Sequence, residues 1–424
     1  MGGIERAIAM EKIDTLVIGA GQGGVATREH LRAHGIDHVV LERGAVAERW
    51  RNDRWASLKL LTPNWMTRLP GHSYNGNDPD GYMHKDEVTS FLTHYAQRIN
   101  APIRSHAPVQ SVTHDGEKYR VESGAGTFHA RTVIVATGAG DQAAIPGWAG
   151  RIADRFNQVT TRDYIHPGQI GPGGVLVVGA SATGVQLAEE LRVAGRDVTI
   201  AAGRHMPLPR RYRGRDIMSW MDEMGTLSET RNPDISNART LRHPSLQLIG
   251  STPQRDISLG SLARLDVRPV SRVLGAEGGK LLLSGDLRAE IENAEARTKV
   301  LLSQIDAHIE NAGISAPVQR NGVRSHFVPD RHETMDLDRA GIRTIVWATG
   351  FRRDYSWLKV PVLNSLGEIR QAGGITDMPG LYTLGLPFMR RRNSAFIDGV
   401  GQDARDITQN LAAYLGAQPF SQAA

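Results

Sequence analysis

Three glycines and one acid near the start of the chain have types and spacing suited to chemistry. Gly19, Gly21 and Gly24 form a G-x-G-x-x-G pattern where a short apolar strand passes into a helix. Small residues there permit a tight turn, a close approach of the backbone to a pyrophosphate, and close packing of the helix on the strand. Glu42 ends the next strand, HVVLE, where its carboxylate can accept hydrogen bonds from ribose hydroxyls. The pattern predicts a dinucleotide site.

The same pattern returns 160 residues later. VLVVGASATG at 175–184 lies over TLVIGAGQGG at 15–24 without a gap, so Gly179 corresponds to Gly19 and Gly184 to Gly24. A repeat in one register argues against a chance match of either copy. Ser181 replaces the middle glycine and still leaves a small side chain beside a pyrophosphate. Two dinucleotide-binding units are therefore expected.

The two copies differ at the ribose-binding position. Ala202 stands where the first copy has Glu42, and Arg204 follows two residues later. A carboxylate would repel a 2′-phosphate, whereas a guanidinium group binds it in a forked geometry. The first unit is therefore expected to hold a ligand with free ribose hydroxyls, and the second to prefer NADPH.

Two neighbouring features each admit two interpretations. The stretch 210–213 is rich in arginine, and either one of its arginines, with Arg211 as the candidate, shares the phosphate or the stretch is a solvated basic loop. Trp50, Trp55 and Trp65 fall within 16 residues of a chain that has 7 tryptophans. They either line a pocket for a planar ligand or fill an irregular core.

The elements that must position these residues follow from the hydrophobic periodicity. Helices are predicted at 25–34, 85–100 and 286–311, and at the C-terminal end of the chain. A strand with the sequence RTVIVATG at 131–138 recurs as RTIVWATG at 343–350. Its last residues, Thr137-Gly138 and Ala348-Thr349-Gly350, are small enough for close approach by a ligand. Each unit is therefore predicted to close with the same strand.

This order of motifs predicts an α/β fold with two Rossmann-like dinucleotide-binding domains, the second inserted into the first. Proline and glycine recur between residues 141 and 174, which indicates a linker. The expected organisation is a first domain at 1–150, a linker at 151–172, the second domain with a helical insertion at 173–340, and the return to the first domain at 341–424.

Composition excludes several classes of protein. The 424 residues include no cysteine, which removes structural disulfides, cysteine-ligated metals and thiol-based redox chemistry. The net charge of +5 comes without a basic run interleaved with aromatics, so no nucleic-acid partner is expected.

No apolar stretch is long enough for a membrane span, and the first residues lack the apolar core of a signal peptide. We expect a soluble cytoplasmic protein with no membrane partner. His30 and His34 lack a third ligand, so no metal site is expected.

Taken together, these motifs resemble the flavin-containing monooxygenase superfamily, in particular its YUCCA-like and bacterial branch. The resemblance covers residues 13–415 and is carried by GAGQGG at 19–24, ERW at 48–50 with the following LKLLTP, GASATG at 179–184, ATGF at 348–351 and GLYTLG at 380–385. It implies that the first unit binds FAD and the second NADPH. It further implies that NADPH reduces the flavin and that O2 adds to give a C4a-hydroperoxide. One oxygen atom then passes to a small organic substrate.

The substrate and the type of oxygenation stay open among N- or S-oxygenation, oxidative decarboxylation and Baeyer-Villiger insertion. No catalytic side chain is predicted, because the flavin itself performs the chemistry. The cofactor-binding residues expected on this basis are Gly19, Gly21, Gln22, Gly24, Glu42, Arg43, Trp50, Thr137, Gly138 and Gly385 for FAD, and Gly179, Ser181, Ala182, Thr183, Gly184, Arg204, Arg211, Ala348, Thr349 and Gly350 for NADPH.

Other functions and details stay open at this point. The alternatives are an NADPH-dependent flavin oxidoreductase or oxidase without oxygen transfer, and a non-catalytic nucleotide-sensing flavoprotein. Thr160 stands where the superfamily has a histidine, which leaves open how NADPH binding is coupled to oxygen transfer. The arginines at 390–392 either reach the flavin or an anionic substrate, or form a surface loop. A homodimer is one possible assembly.

Overall fold

The computed structural model of the chain describes residues 10–230, 245–319 and 331–417. The first nine residues, on which the expectation about a signal peptide partly depends, lie outside these ranges, as do residues 418–424 at the end of the last predicted domain. Within the described ranges the α-helices are α1 (Gln22–Ala33), α2 (Glu48–Asn52), α3 (Lys85–Arg98), α4 (Ala182–Val193), α5 (Ile217–Glu223), α6 (Leu259–Arg264), α7 (Leu287–Asn311) and α8 (Ile397–Ala417).

A first sheet of nine strands receives residues from both ends of the chain. The path of neighbouring strands runs Gln371–Ala372, Ile375–Thr376, Leu381–Thr383, Gly126–Val135, Glu11–Ile18, His38–Leu41 and Ile103–Arg104. An antiparallel hairpin of Val109–His114 and Tyr119–Ser123 branches from Gly126–Val135. The central strands are parallel, and helices α1, α3 and α8 pack through buried Val25, Leu92 and Ile407. We call this part of the molecule the first unit.

A second sheet lies between the two parts of the first in the sequence. Its five strands are all parallel and run in the order Asn157–Thr160, Ile342–Trp347, Gly174–Val178, Val198–Ala202 and Arg268–Ser271. Near-continuous apolar runs such as VLVV suit strands that are covered on both faces. Helices α4 and α6 pack through Leu187 and Leu262, both 0% exposed. This is the second unit, and the two sheets confirm the predicted fold class.

Several short strands pair outside the two sheets: Gln142–Ala143 with Phe351–Arg352, His205–Pro207 with Ser245–Gln247, Arg211–Tyr212 with Arg215–Asp216, Arg68–Leu69 with His72–Ser73, and Val273–Glu277 with Lys280–Leu283 and Thr334–Asp336. The first of these pairs joins the two stretches of chain that cross between the units. It therefore forms the connection between the two sheets.

The sheet boundaries differ from the predicted domain boundaries at two places. Asn157–Thr160 lies in the range predicted to be a linker, yet it pairs in parallel with Ile342–Trp347 as the edge strand of the second sheet. Ile342–Trp347 itself falls just beyond the predicted end of the second domain at 340 and pairs with Gly174–Val178. Four residues, NQVT, give too short a pattern to reveal an edge strand, and their neighbour in space is almost 190 residues away in the chain.

A buried ion pair joins the first unit's loop at residues 61–83 to the second unit. Arg210 (1% exposed) pairs with Asp216 (5% exposed), and its Nη1 donates to the Leu61 carbonyl oxygen at 2.7 Å. The Tyr82 hydroxyl donates to the other Asp216 carboxylate oxygen at 2.7 Å. The pair therefore fixes one unit against the other.

Removing one partner of this pair is expected to destabilise the protein strongly. Asp216→Ala should lower the free energy of unfolding by about 3–5 kcal/mol, because the Arg210 guanidinium is left buried without a counter-ion. The double change Arg210→Met with Asp216→Leu should recover most of that loss. The matched control is Glu333→Ala at an exposed pair with Arg331 (65% and 77% exposed side chains), which should cost less than about 1 kcal/mol. Urea unfolding of the four proteins measures the differences, and equal losses for Asp216→Ala and Glu333→Ala would contradict the expectation.

Candidate functional site

A cavity of about 730 Å³ opens along the first glycine turn. Its walls come from the turn, the end of His38–Leu41 with α2, the segment after Gly126–Val135, and the segment before α8. Nine of the ten residues predicted for the first unit line it, namely Gly19, Gly21, Gln22, Glu42, Arg43, Trp50, Thr137, Gly138 and Gly385. These residues were far apart in the sequence, and the parallel sheet brings them to one edge, where the strands end.

The three glycines of the turn have different structural reasons for being glycine. Gly19 has φ +104°, and a Cβ there would lie 2.7 Å from the Ala136 carbonyl oxygen. A Cβ on Gly24 would lie 1.7 Å from the Gly19 carbonyl oxygen, so this residue holds α1 against the strand and lies behind the cavity wall. A Cβ on Gly21 would meet no atom within 4 Å. Gly21 therefore leaves open space at the cavity wall, as the approach of a pyrophosphate requires.

Glu42 is a fixed acceptor at the cavity wall. Its side chain is buried, and its two carboxylate oxygens accept hydrogen bonds from the backbone N–H groups of Ala20, at 2.7 Å, and Gly44, at 3.1 Å. Each carboxylate oxygen can accept a further bond, which suits a pair of ribose hydroxyls. Together with the N-terminus of α1, this donor and acceptor set fits an adenine dinucleotide with an unmodified ribose.

Trp50 connects three parts of the wall. Its Nε1 donates to the side-chain oxygen of Gln22 at 3.2 Å, and the Gln22 amide nitrogen donates to the Ala395 carbonyl oxygen at 3.3 Å. Trp55, in contrast, is buried in the core of the second unit, and Trp65 packs against the cluster formed with α5 and α7. Both interpretations of the tryptophan group therefore apply, because Trp50 lines the cavity whereas the other two fill the core.

The second turn repeats the geometry of the first. Gly179 has φ +110°, and a Cβ there would lie 2.4 Å from the Ala348 carbonyl oxygen, just as Gly19 faces Ala136. A Cβ on Gly184 would lie 1.9 Å from the Gly179 carbonyl oxygen. Ser181 occupies the N-cap of α4, which then begins with Ala182 and Thr183. The second turn lies outside the large cavity.

Arg204 is exposed, just after the strand Val198–Ala202, with other arginines nearby. Burial lowers the pKa of Arg297 on α7, and the positive charge of Arg204 lowers that pKa further, so the two are close. The Arg297 guanidinium donates to the His205 carbonyl oxygen at 2.9 Å. The Arg272 side chain lies against Gly203, where an added Cβ would be 3.3 Å from its Cδ. Sequence reasoning missed Arg272 and Arg297, which lie in a stretch without a recognisable motif.

The remaining predicted residues of the second unit make contacts within the protein. Arg211 donates to the side-chain oxygen of Gln254 at 2.8 Å and to the Gly214 carbonyl oxygen. Thr349 Oγ1 donates to the Ala144 carbonyl oxygen at 2.8 Å, and the Gly350 carbonyl accepts from the Ala144 N–H at 2.9 Å. Thr349 and Gly350 thus secure the strand that crosses between the units.

The arginines before α8 also bind protein groups. Arg390 donates to the Gly373 carbonyl oxygen at 2.8 Å, Arg391 pairs with Asp403 and Asp406, and Arg392 pairs with Glu229 at 2.6 Å. Burial raises the pKa of Asp403, although Arg391 acts in the opposite direction. These contacts favour a structural role for this stretch over contact with a flavin or a substrate. Thr160, at the end of its edge strand, donates to the Asp163 carboxylate at 2.6 Å.

The described residues also limit what else the molecule contains. Across the described ranges, no helix combines the length and the apolar character needed to cross a membrane.

Four residues that the sequence did not single out, Arg49, Arg54, Arg353 and Asp354, add charge to the cavity wall. Arg49 directly precedes Trp50 and Arg54 follows it four residues later, and their position in a stretch rich in both arginine and tryptophan was the available signal.

Comparison with known proteins gives three kinds of match. The pyridine nucleotide-disulphide oxidoreductase family matches residues 16–215. An uncharacterized oxidoreductase CzcO-like from Geobacillus kaustophilus is 32% identical over 402 residues, covering 94% of this chain and 98% of that protein. The indole-3-pyruvate monooxygenase YUCCA1 of Oryza sativa subsp. japonica is 25% identical, covering 93% of this chain and 90% of that protein.

Among solved structures, a flavin-containing monooxygenase from Stenotrophomonas maltophilia has the same fold. It superposes with a TM-score of 0.64 at 21% identity, covering 96% of this chain and 99% of that one. The family match and the monooxygenase neighbours imply flavin and nicotinamide cofactors for an oxidoreductase. With near-complete coverage of its relatives and the same two-sheet fold, the chain belongs to the flavin-containing monooxygenase superfamily.

Proposed function

We propose that the protein is an FAD- and NADPH-dependent monooxygenase that transfers one oxygen atom from O2 to a small organic substrate. The observation that carries this proposal is the pairing of two glycine turns of the same geometry with opposite ribose sites. The first turn has the fixed carboxylate of Glu42, and the second has Ala202 followed by Arg204. An acid at the ribose suits FAD, and an arginine without an acid suits the 2′-phosphate of NADPH.

The residues near Arg204 support NADPH as the second cofactor. Arg204 and Arg272 form no ion pair with a carboxylate in the described parts of the chain. The Arg297 guanidinium donates to a carbonyl oxygen, and the negative charge of Glu290 acts on it alongside the positive charge of Arg204. Three guanidinium groups near one strand end form a positive site that a phosphate would neutralise. The corresponding position in the first unit carries the negative charge of Glu42.

The protein's own residues have defined tasks in this proposal. FAD, when bound, would supply both the storage of electrons from NADPH and the activation of O2. Glu42 and the backbone of the first turn would hold its adenosine and diphosphate, and Trp50 with Gln22 would shape the wall beside it. The second turn and Arg204 would hold NADPH. The strands Gln142–Ala143 and Phe351–Arg352 connect the two sites.

The absence of cysteine separates this proposal from the other chemistry of its wider family. Two-dinucleotide reductases of the disulphide class need a pair of thiols to pass electrons onward, and this chain has none. The substrate class, O2 as the second partner, a location in the cytoplasm and the assignment of FAD to the first unit and NADPH to the second all belong to the proposal. The alternatives are an NADPH oxidase and a nucleotide sensor without turnover.

Oxygen labelling distinguishes these functions. The FAD-loaded protein is mixed with NADPH under ¹⁸O2 and a panel of amines, sulfides, indolic acids and ketones. A monooxygenase should place one ¹⁸O atom in a product for each NADPH consumed in the presence of the right substrate. An oxidase would convert NADPH and O2 into hydrogen peroxide with every compound in the panel. A sensor would bind both nucleotides without consuming NADPH, and either of these two results would overturn the proposal.

A further inference from the structure

Arg54 lines the cavity two residues after α2 ends. Its side chain is partly buried, and its guanidinium carbon lies 5.5 Å from the centre of the Trp50 ring. Its Nη1 donates to the backbone carbonyl oxygen of Asp53 at 3.1 Å. The other nitrogens have no hydrogen-bond acceptor in the described parts of the chain, so Arg54 has donors to spare at the cavity wall.

The other arginines of the cavity wall are neutralised by the protein. Arg43 and Arg49 each pair with Asp141, at 3.0 Å and 2.6 Å. Arg353 pairs with Glu368. Arg54 differs, because no carboxylate oxygen of the described residues lies within 4.0 Å of its nitrogens. Among the cavity arginines it is therefore the one that forms no ion pair with a described carboxylate.

A guanidinium removed from water without a counter-ion is unfavourable. Burial lowers the pKa of Arg54 and the positive charge of Arg49 lowers that pKa further, whereas the negative charge of Asp53 acts in the opposite direction; the net effect disfavours the charged form. A bound anion would relieve both effects, since it replaces water as hydrogen-bond acceptor and offsets the repulsion from Arg49. The cavity is thus prepared for a negatively charged group next to Arg54.

The position of Arg54 indicates which anion this is. Arg54 stacks on Trp50, Trp50 donates to Gln22, and Gln22 lies in the first turn of α1. The N-terminus of that helix and the open face of Gly21 are where a dinucleotide diphosphate binds. We propose that Arg54 is a ligand of the diphosphate of the dinucleotide in the first unit. This rests on the proposed function only in taking that dinucleotide to be FAD.

The test is the affinity of the flavin-free protein for FAD and for ADP, which carries the diphosphate but no flavin. FAD binding is followed by quenching of flavin fluorescence, and ADP by its competition with FAD. Arg54→Gln should weaken both by about 10- to 100-fold, the range for hydrogen bonds to a charged group. The affinities of Arg54→Lys should lie between those of the unmodified protein and Arg54→Gln, because lysine keeps the positive charge but loses the forked hydrogen-bond geometry of the guanidinium. Arg51→Gln is the matched control, since Arg51 is exposed on α2 and lies outside the cavity wall.

The outcomes separate this inference from its competitors. FAD and ADP affinities within two-fold of the unmodified protein would overturn it, provided that circular dichroism shows Arg54→Gln to be folded. A loss for FAD without a loss for ADP would also overturn it, because Arg54 would then contact the flavin portion. A raised KM for NADPH or for an anionic substrate with unchanged FAD and ADP binding would assign the arginine to those ligands instead. If the unmodified protein binds FAD but transfers no oxygen, the proposed function fails and the Arg54 result still stands.

Discussion

Gly24→Ala is expected to yield a protein that purifies without flavin. The added Cβ would lie 1.7 Å from the Gly19 carbonyl oxygen, which is backbone and cannot swing aside. Either α1 moves away from the strand Glu11–Ile18 or the glycine turn is distorted, and both displace the diphosphate-binding N–H groups. Overpacking of this kind typically costs about 1–3 kcal/mol of stability and more where backbone must shift. The flavin absorbance per protein and the melting temperature measure the two effects.

The repeated fold supplies a matched variant for this prediction. Gly184→Ala introduces nearly the same clash in the second unit, 1.9 Å from the Gly179 carbonyl oxygen. It should retain flavin yet lose reduction by NADPH at ordinary concentrations. Gly147→Ala, where a Cβ meets no atom within 4 Å, is the neutral control. Loss of flavin from Gly184→Ala with retention in Gly24→Ala would reverse our assignment of the two cofactors.

Arg204→Ala is expected to change the choice of nicotinamide cofactor. Losing hydrogen bonds from a guanidinium to a phosphate typically costs about 1.5–3 kcal/mol each, so kcat/KM for NADPH should fall about 10- to 100-fold. The value for NADH should stay within about three-fold, because NADH has no 2′-phosphate for Arg204 to contact. Flavin reduction under anaerobic conditions, followed at several concentrations of each cofactor, measures both values.

Variants of the neighbouring arginines sharpen this prediction. Arg272→Ala and Arg297→Ala should each reduce the NADPH preference less than Arg204→Ala, because they lie around Arg204 rather than at the ribose position itself. Arg211→Ala is the comparison on the loop that follows, where the guanidinium already binds Gln254. Equal effects of Arg204→Ala on NADPH and NADH would rule out a 2′-phosphate site at this strand end.

Much of the fold was predictable because its signals are local. The predicted helix at 85–100 is observed as Lys85–Arg98 and the one at 286–311 as Leu287–Asn311, since helical periodicity over 14 or 25 residues is unambiguous. The repeat of RTVIVATG as RTIVWATG marks equivalent strands, because in each unit this strand pairs in parallel with the strand that precedes the glycine turn. In both units the residue after this strand, Ala136 or Ala348, packs its carbonyl against the first glycine of the turn.

What the sequence could not provide is the pairing between distant segments. The edge strand Asn157–Thr160 was predicted as linker, since proline and glycine dominate its surroundings and its partner Ile342–Trp347 lies far along the chain. Arg272 follows a strand and Arg297 lies on α7, and neither segment carries a motif. The sequence therefore did not indicate that these two arginines lie near Arg204. The role of the arginines at 390–392 was also open from the sequence, because their ion-pair partners, such as Asp403 and Glu229, are known only from the structure.

The sequence by itself therefore determined the two nucleotide turns, their order, and the contrast between Glu42 and Ala202 with Arg204. These are properties of residue type and short-range spacing, and backbone geometry at a strand-to-helix turn allows few alternatives. Only the tertiary structure decided which arginines are neutralised. Arg43 and Arg49 pair with Asp141 from a separate segment of the cavity wall, whereas Arg54, a few residues away, forms no ion pair with a carboxylate among the described residues. Charge compensation depends on distances between side chains from separate segments, and these distances exist only once the chain has folded.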